Sequence, residues 1–435
     1  MNDLYEVHTH LYGCLKEEDI HWLGKRKSPR WHIFRDSYRK IYQREPNLEI
    51  LNHYRIWETS ELNDKQKEIL RTFYVYDESK PKGFLYFQNC FDFVISLSHT
   101  DPEELRVISL RVIGNQKEIY SEYRMMFSPL VSQIEFEEKV HALIEGFQKA
   151  EKEFFPKKSK LVISLNREFP LYEWQYEILK SLKNKYPNQV LVGIDFAGYE
   201  ENDPPKEKQA FLEKVITEKQ FVVLYHVGES FTNKSPSSAI RWIHEVSKNA
   251  HRLGHCVALA YTEERVKDQV YIESVQERND HLEYLMKFSE TNQWHYQDYL
   301  YQKQKELSSM NENDSIQIKY EDKELRLHRE FWEFVIKDLK TRNVVIESCP
   351  TSNLRILGFS PLKFFINHGL TVCIGADDPG IFSTSLEEEF RLAEKILHNK
   401  EQVENLKKNN QTYNSWNIQK QWEASNQKHE DSKTL

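Results

Sequence analysis

Short apolar stretches recur along the chain, and longer segments with helix signals separate them. Eight of these stretches read as β-strands, several of them as unbroken runs of Val, Ile and Leu, which is typical of strands buried on both faces. The predicted strands cover residues 4–10, 119–127, 160–166, 190–197, 221–226, 252–259, 344–349 and 370–376.

The intervening segments begin with recognisable helix starts. Ser132 and Glu135 form a capping box, and Ser235-Pro236 places proline at the favoured first position of another helix. Strands that alternate with helices predict a parallel sheet with crossover helices. Eight such strands predict an α/β fold, the (β/α)8 TIM barrel, because closure brings the first and last strands together, whereas an open doubly wound sheet does not.

Two regions exceed what a barrel needs. Residues 15–117, after the first strand, are rich in aromatic and charged side chains and predict a helical lid region over the barrel mouth. An insertion at about 262–330, after the sixth strand, predicts polar helices and a surface for homo-oligomer formation or another assembly. We expect one barrel domain over 1–435, with the residues after Trp416 as a frayed, solvated tail.

Composition narrows the class of protein. The chain has 435 residues, 39% of them hydrophobic, and can bury a substantial core. Its net charge of -8 gives no electrostatic reason to expect nucleic-acid binding. Five widely spaced cysteines fit reduced thiols, and neither a signal sequence nor a membrane-spanning apolar run is visible. We therefore expect a cytoplasmic protein with no nucleic-acid partner and no membrane partner.

Polar residues lie at the ends of the predicted strands, where barrels of this kind gather their active sites. His8 and His10 share one face of the first strand, because side chains alternate with period two, and this pair suits chelation of a cation such as zinc. Asp377, after the last strand, adds an anionic oxygen. Each residue alone has an ordinary explanation, but their joint occurrence at strand ends favours one metal site.

The order and spacing of these residues resemble the adenosine deaminase family of the amidohydrolase superfamily, which includes adenosine and AMP deaminases. The matching motifs are His8-Thr9-His10-Leu11 with Gly13, Ile194-Asp195-Phe196-Ala197-Gly198-Tyr199-Glu200, His226-Val227-Gly228-Glu229, Arg252-Leu253-Gly254-His255, Cys349-Pro350-Thr351-Ser352-Asn353 and Gly375-Ala376-Asp377-Asp378-Pro379. Residues 123–129 resemble the second strand of the family. The resemblance spans the barrel and leaves out the insertion.

The resemblance implies a metal cofactor. His8, His10, His226 and Asp377 would bind one Zn²⁺ or another divalent metal per chain. Three imidazoles and a carboxylate leave room for a water, which such an ion would acidify to a nucleophilic hydroxide near neutral pH.

The resemblance also implies the reaction and its residues. Glu229 would protonate N1 of a purine, and His255 would orient the attacking water and accept its proton. Asp378 and the backbone NH of Gly198 would bind the ring, with His10 beside the substrate. The implied partner is a purine nucleoside or nucleotide (adenosine, deoxyadenosine, AMP or dAMP), deaminated hydrolytically to the inosine counterpart with release of ammonia.

Five residues bear on where the chain departs from the family. Tyr12 stands where nucleoside deaminases usually have an aspartate for the ribose 5′-hydroxyl, and a phenol can donate to phosphate, which keeps a nucleotide substrate open. Arg30, Arg35 and Arg39 in the lid region could bind that phosphate, although solvated surface charge is the more ordinary explanation. Cys256 replaces a common glycine, which we interpret as a packing change.

Two functions from different classes stay open at this point. One is a metal-dependent aminohydrolase. The other is a catalytically silent, deaminase-like scaffold subunit of a larger assembly such as a defence complex, with the insertion as its docking surface. The complete set of ligands and catalytic residues favours the enzyme, because a silent barrel has no physical need to keep them all.

Overall fold

A computed structural model of the protein describes residues 2–168, 170–186, 190–200, 203–291 and 296–431. Within them, ten strands are found: β1 Asn2–His10, β2 Glu118–Met126, β3 Lys158–Leu165, β4 Leu191–Phe196, β5 Val222–Val227, β6 Arg252–His255, β7 Val270–Ser274, β8 Ser315–Lys319, β9 Val345–Ser348 and β10 Thr371–Ile374. Eight of them form one sheet in the order β1-β2-β3-β4-β5-β6-β9-β10, and every paired neighbour is parallel.

The sheet closes between its first and last strands. Thr9 and Asp377 form a parallel bridge, in which the His10 amide donates to the Asp377 carbonyl and the Asp377 amide donates to the His8 carbonyl, both at 2.9 Å. The structure is therefore the predicted (β/α)8 TIM barrel. The open doubly wound sheet is excluded because β1 lies next to β10.

Helices follow the strands and surround the barrel. Their bounds are α1 Glu17–Arg26, α2 Trp31–Tyr42, α3 Glu49–His53, α4 Asp64–Tyr74, α5 Phe84–Leu97, α6 Pro102–Asn115, α7 Gln133–Glu153, α8 Leu171–Lys185, α9 Gln209–Glu218, α10 Pro236–Val246, α11 Glu263–Val266, α12 Val275–Thr291, α13 Gln297–Leu307, α14 Asp322–Thr341, α15 Pro350–Leu357, α16 Leu362–Asn367, α17 Leu386–Leu397, α18 Lys400–Tyr413 and α19 Ser415–Asp431. Both predicted helix starts are confirmed: Ser132 caps α7 with Glu135, and Ser235 caps α10.

Six helices, α1 to α6, lie between β1 and β2. Their apolar side chains, among them Phe34, Leu70 and Phe93, belong to the same buried cluster as the barrel residues Leu161, Ile194 and others. Because this region shares its core with the barrel, its helices are fixed against the strands that carry the site.

The segment between β6 and β9 differs from the purely helical insertion that we predicted. It contains α11 to α14, but β7 and β8 also pair in an antiparallel two-stranded sheet. Ile316 and Ile318 alternate with polar residues in β8, which is the pattern of a strand rather than a helix. Ile318 buries itself against Val266, Tyr320 and Leu325.

The tail prediction for residues after Trp416 is wrong for the described part of that segment. Helix α19 begins at Ser415, and its Ile418 and Trp422 pack on a small apolar cluster of strand residues. That cluster consists of Val162, Val192, Val222 and Leu224. The Gln419 side chain also donates to the Val192 carbonyl at 2.8 Å. Two large apolar residues four positions apart on a polar helix were the available signal.

The sixth strand is shorter than predicted. It ends at His255 instead of continuing to residue 259, because His255 and Cys256 have φ angles of +64° and +50°. Such angles end a strand and turn the backbone, here into a 3-10 turn over Val257–Ala260. His255 consequently lies at the strand end, facing the site.

None of the helices in the described part of the chain combines the length and the apolar character that crossing a membrane requires.

Candidate metal centre and substrate cavity

The four predicted metal ligands meet at the carboxyl end of the barrel. β1 carries His8 and His10, β5 carries His226, and Asp377 follows β10. Ring nitrogens of the three histidines lie within 4.8 Å of one another, and a His10 ring nitrogen is equally close to carboxylate oxygens of Asp377 and Asp378. Strand geometry thus brings together residues from three separate parts of the sequence.

Each of the two innermost histidines is held by a carboxylate. His8 Nδ1 lies 2.8 Å from Glu347 Oε2, and His226 Nδ1 lies 3.0 Å from Asp195 Oδ2. A carboxylate can only accept, so Nδ1 of His226 donates its proton to Asp195. Nδ1 of His8 can donate to Glu347 in the same way, although the Arg124 guanidinium, which can only donate, also lies 2.8 Å from it. In these tautomers the Nε2 lone pairs of both rings are directed at the centre of the site, which is how carboxylates commonly orient metal-binding histidines.

The donor atoms at the centre fit a divalent cation. His8 Nε2 and His226 Nε2 lie 3.0 Å apart, so their lone pairs face each other. Asp377 Oδ2 is buried and, among the described residues, has no hydrogen-bond partner. Facing lone pairs and an unpaired carboxylate oxygen repel one another unless a cation lies between them, so this set of N and O donors suits Zn²⁺ or a similar ion.

A buried network of charged side chains holds Glu347, the carboxylate that contacts His8. Arg124 Nη2 donates to Glu347 Oε2 at 2.5 Å, and its Nη1 lies 2.8 Å from His8 Nδ1. Arg252 donates to the other Glu347 oxygen at 2.6 Å and to Glu122 at 2.6 Å. Burial alone would raise the pKa of Glu347, but the two guanidinium groups lower it to about 2. Glu347 is therefore an anion that can keep His8 in the required tautomer.

Backbone geometry fixes Asp377 and Asp378. Asp377 has a φ of +61°, a conformation that is costly for a residue with a side chain and that often occurs at functional sites. Gly13 permits the approach of Asp378, since a Cβ at Gly13 would lie 1.8 Å from Asp378 Oδ1. The glycine in the first motif is thus explained by the carboxylate in the last one.

Glu229 and His255 lie side by side at the edge of this centre. Glu229 Oε1 is 3.6 Å from His255 Nε2, and both ring nitrogens of the buried His255 lack a hydrogen-bond partner in the described structure. Burial raises the pKa of Glu229 well above its usual value, with Asp377 and Glu200 adding to the effect. Burial lowers the pKa of His255 to about 3. A carboxyl with a raised pKa beside an imidazole with a lowered pKa is the pairing that an acid and a base require.

Asp378 and Gly198 face the same cavity. Asp378 Oδ1 lies 3.2 Å from His10 Nδ1, and burial together with the neighbouring Asp377 raises the pKa of Asp378 to about 6. Gly198 has a φ of +86° and lies against the Met126 side chain. Both residues line the wall of the cavity, as their predicted contact with a substrate ring requires.

The cavity has a volume of about 390 Å³ and runs from the metal ligands to the helices between β1 and β2. At the inner end it is lined by His10, His226, Glu229, His255, Asp377 and Asp378. At the outer end α5 contributes Phe84, Phe87, Gln88, Phe91, Asp92 and Ile95, which recur at helical spacing on one face. The size and the mainly apolar outer lining are typical of a small-molecule site.

Tyr12 lines this cavity, but its hydroxyl does not point to a free anion site. It donates to Glu104 at 2.7 Å, and Ser98 Oγ and the Thr100 amide also donate to Glu104. The phenolic proton that we assigned to a phosphate is already used. Tyr12 could therefore contact a substrate only through its ring or by accepting a hydrogen bond at its hydroxyl oxygen.

The three lid arginines occupy different places. Arg30 lines the cavity, whereas Arg35 and Arg39 are exposed on α2 and do not. Arg39 pairs with Asp36 and Glu45. The surface explanation therefore fits Arg35 and Arg39 and does not fit Arg30.

Sequence reasoning did not assign a role to Asp195, Glu347 or Arg124. A signal was present for Asp195 and Glu347, because each is a charged residue that follows apolar positions in a short strand, and a buried charge is tolerated only where it is paired. Arg124 stands in a strand that also contains two glutamates, so its pattern is less distinctive. The sequence alone does not show that Glu347 pairs with His8 and Arg124, or that Asp195 pairs with His226. These partners are known only once the order of the strands in the sheet is known.

Comparisons with known proteins agree with this geometry. The chain matches the family model for adenosine deaminase over residues 58–293 and 319–423. The adenosine deaminase of Lactococcus lactis is 34% identical over 179 residues, which are 40% of this chain and 48% of that protein. This chain spans about half or less of the length of the first curated relatives that it matches.

Two solved structures share the fold. An amidohydrolase from Burkholderia ambifaria with bound zinc has a TM-score of 0.55 at 14% identity, over 97% of this chain and 88% of its own. The N6-mAMP deaminase of Arabidopsis has a TM-score of 0.55 at 17% identity, over 96% of both chains. Since the family model covers well over half of the sequence and the site residues stand in the matching order, this chain belongs to the adenosine deaminase family.

Proposed function

We propose that the protein catalyses the metal-dependent hydrolytic deamination of a 6-aminopurine nucleoside or its 5′-monophosphate, with release of ammonia. The observation that carries this proposal is the placement of Glu229, whose pKa burial raises, and His255, whose pKa burial lowers, beside residues whose donor atoms can hold a cation. Family membership supports the reaction class, and the Arabidopsis neighbour is by its name a deaminase of an adenine nucleotide.

Zn²⁺ is the cofactor that we propose, with His8, His10, His226 and Asp377 as its ligands, one ion per chain. When bound, the ion supplies Lewis acidity that lowers the pKa of a water molecule. Glu347 and Asp195 keep the two inner imidazoles neutral and oriented through their Nδ1 protons. The zinc-bound structure from Burkholderia ambifaria supports the choice of metal.

Glu229 is the proposed general acid. It donates its proton to N1 of the purine, which makes C6 electrophilic and places the negative charge on a buried carboxylate only as the reaction proceeds. A carboxyl can do this near neutral pH only where burial raises its pKa, as it does for Glu229. Glu200 holds the turn, since it accepts hydrogen bonds from the Gly228 and Glu229 amides.

His255 is the proposed general base. Its free ring nitrogens can accept a proton from the attacking water, whose oxygen forms the new bond to C6. His255 then gives that proton to the amino group, the C6–N bond breaks and ammonia leaves. The remaining hydroxyl proton passes to Glu229, which restores the acid and leaves a 6-oxopurine that is protonated on N1. Asp378 and the Gly198 amide hold the ring during these steps, a positioning role that we infer from their place in the cavity wall.

Helices α2 and α5 line the outer part of the cavity and, in this proposal, exclude water from the reacting centre. The silent scaffold is the alternative. It has no use for the buried imidazole of His255, whose two ring nitrogens lack a hydrogen-bond partner in the described structure, since each such polar atom costs about 1–3 kcal/mol.

A direct assay separates the two functions. Purified protein, loaded with zinc and checked for metal content, is incubated with adenosine, deoxyadenosine, AMP and dAMP, and released ammonia is measured. We expect ammonia and the matching 6-oxopurine from at least one substrate. Metal-loaded, folded protein that releases none from all four would leave the scaffold as the better account.

A further inference from the structure

Arg30 is a half-buried cation that lines the substrate cavity, and no acidic side chain of a described residue forms an ion pair with it. Its backbone amide donates to the Ser96 carbonyl at 2.6 Å, and its Nη2 donates to the carbonyls of Ile95 and Ser98 at 3.0 and 2.6 Å. Its Nε is buried and has no hydrogen-bond partner, and no carboxylate of a described residue lies within 4.0 Å of the guanidinium. The side chain is thus held rigidly while part of its donor capacity stays unused.

The surroundings of Arg30 place this charge near Tyr12. Ser98, whose carbonyl binds Arg30, donates its hydroxyl to Glu104 at 2.5 Å, and Tyr12 donates to the same carboxylate. Tyr12 follows the His-x-His motif at the position that the family resemblance assigns to the ribose 5′ side. Arg30 therefore faces the part of the cavity where the 5′ group of a bound nucleoside would lie.

Glu104 does not cancel the attraction of an anion to this place. Its two oxygens accept from Tyr12, Ser98 and the amides of His99 and Thr100, and Arg26 Nη1 lies 3.2 Å away. The carboxylate is buried behind the wall and neutralised there. Arg30 is the charged group that the wall presents to the cavity at this point.

A second acidic residue, Asp92, lines the outer cavity as well. Gln88 donates to Asp92 Oδ1 at 2.9 Å, and burial raises the pKa of Asp92. A phosphate in this cavity would meet a planar guanidinium suited to bidentate binding, and a carboxyl whose charged form burial disfavours.

Resting on the proposed function, we propose that Arg30 is a specificity-determining residue that binds a 5′-phosphate, and that the preferred substrate is a 6-aminopurine nucleoside 5′-monophosphate. A nucleoside without phosphate leaves the Arg30 donors unpaired, whereas a phosphate satisfies them. The discrimination of AMP from adenosine arises in this wall, far from the metal ligands.

The test compares AMP with adenosine in the zinc-loaded full chain. For the wild type we expect the larger kcat/KM with AMP, and for Arg30→Gln a fall of about 10- to 100-fold in the ratio of the two kcat/KM values, the size typical for loss of a charged hydrogen-bonded pair. Arg30→Lys keeps the charge without the planar fork and should give an intermediate ratio. Arg35→Gln, an exposed arginine of the same region, should leave the ratio unchanged.

Binding gives a readout that does not depend on turnover. Titration calorimetry with IMP and inosine on the zinc-loaded protein should give weaker IMP binding in Arg30→Gln by a similar factor, with a smaller change for inosine. A wild type that deaminates adenosine at least as well as AMP overturns this inference and leaves the proposed function standing. The inference is also overturned if Arg30→Gln keeps the preference for AMP while Asp92→Asn loses turnover of adenosine. In that case Asp92, and not Arg30, would determine the choice of substrate. Absence of ammonia from every substrate defeats the proposed function instead.

Discussion

The inner and outer ends of the cavity are built in different ways. The inner end is formed by strand ends, and its side chains are held by buried carboxylates such as Asp195 and Glu347. The outer end is formed by helices between β1 and β2, and it is mainly apolar around a single guanidinium, Arg30. The difference indicates that the barrel strands fix the candidate metal ligands, whereas the helices packed on those strands form the outer wall of the cavity.

Removing a ligand at the inner end should give the largest effect. His226→Ala is expected to lose the metal and to lower kcat/KM by about 10⁴-fold or more, because the metal supplies several kcal/mol of transition-state stabilisation. Metal content by mass spectrometry and ammonia release measure the two losses. His141→Ala, on α7 and outside the cavity, should change neither. A variant without His226 that still binds one metal and turns over would break the ligand assignment.

Glu229→Gln should separate catalysis from metal binding. The amide keeps the shape of the side chain but cannot deliver a proton, so kcat should fall by about 10²- to 10⁴-fold while the metal content stays at the wild-type level. Single-turnover kinetics on the metal-loaded variant make the measurement. Turnover within twofold of the wild type would refute the role of Glu229 as the acid.

Glu347 and Glu122 offer a matched pair within one buried network. Both accept from Arg252, but only Glu347 also contacts a metal ligand, His8. Glu347→Gln should weaken metal binding by about 10- to 100-fold, as loss of an orienting carboxylate usually does. Glu122→Gln should lower the free energy of unfolding without that change in affinity. Competition with a chelator measures affinity, and equal losses of affinity in both variants would contradict the model.

The raised pKa of Glu229 also predicts a pH dependence. The protonated form is the active one, so kcat/KM should be retained below the raised pKa and fall about tenfold per pH unit above it. The alkaline limb should disappear in Glu229→Gln, which has no proton to lose at that position. A wild-type limb that persists unchanged in the variant would assign the titration to another group.

The smallest effect is expected at the apolar outer end. Phe91→Ala removes part of a cavity wall on α5 and should raise KM about fivefold, the equivalent of ~1 kcal/mol of lost apolar contact, with kcat nearly unchanged. Steady-state kinetics decide it. A fall in kcat of the same size as that of Glu229→Gln would show that the two ends are not separable.

The inner and outer ends of the cavity also differ in how well the sequence predicts them. Part of the inner end was predictable from pattern, because period-two alternation puts His8 and His10 on one face and Asp377 stands at a strand end of the same barrel. His226 entered the ligand set through the family resemblance. The outer end was not predictable from pattern. Which of Arg30, Arg35 and Arg39 faces the cavity depends on how the helices between β1 and β2 pack, and helical periodicity does not determine that packing.

Two local errors have similar causes. The strand pairing of residues 270–274 with 315–319 spans about forty residues, and a long-range pairing leaves little trace in local pattern. The C-terminal helix has a mostly polar sequence, and we therefore interpreted it as a solvated tail. That interpretation missed the contacts of Ile418 and Trp422 with the cluster of strand residues.

The central claim is that His8, His10, His226 and Asp377 meet around one cation. The most direct measurement is anomalous diffraction at the zinc edge from crystals of the metal-loaded protein. The account predicts one strong peak per chain between His8 Nε2, His226 Nε2 and the Asp377 carboxylate. A peak elsewhere, or none with the protein saturated in zinc, would contradict it.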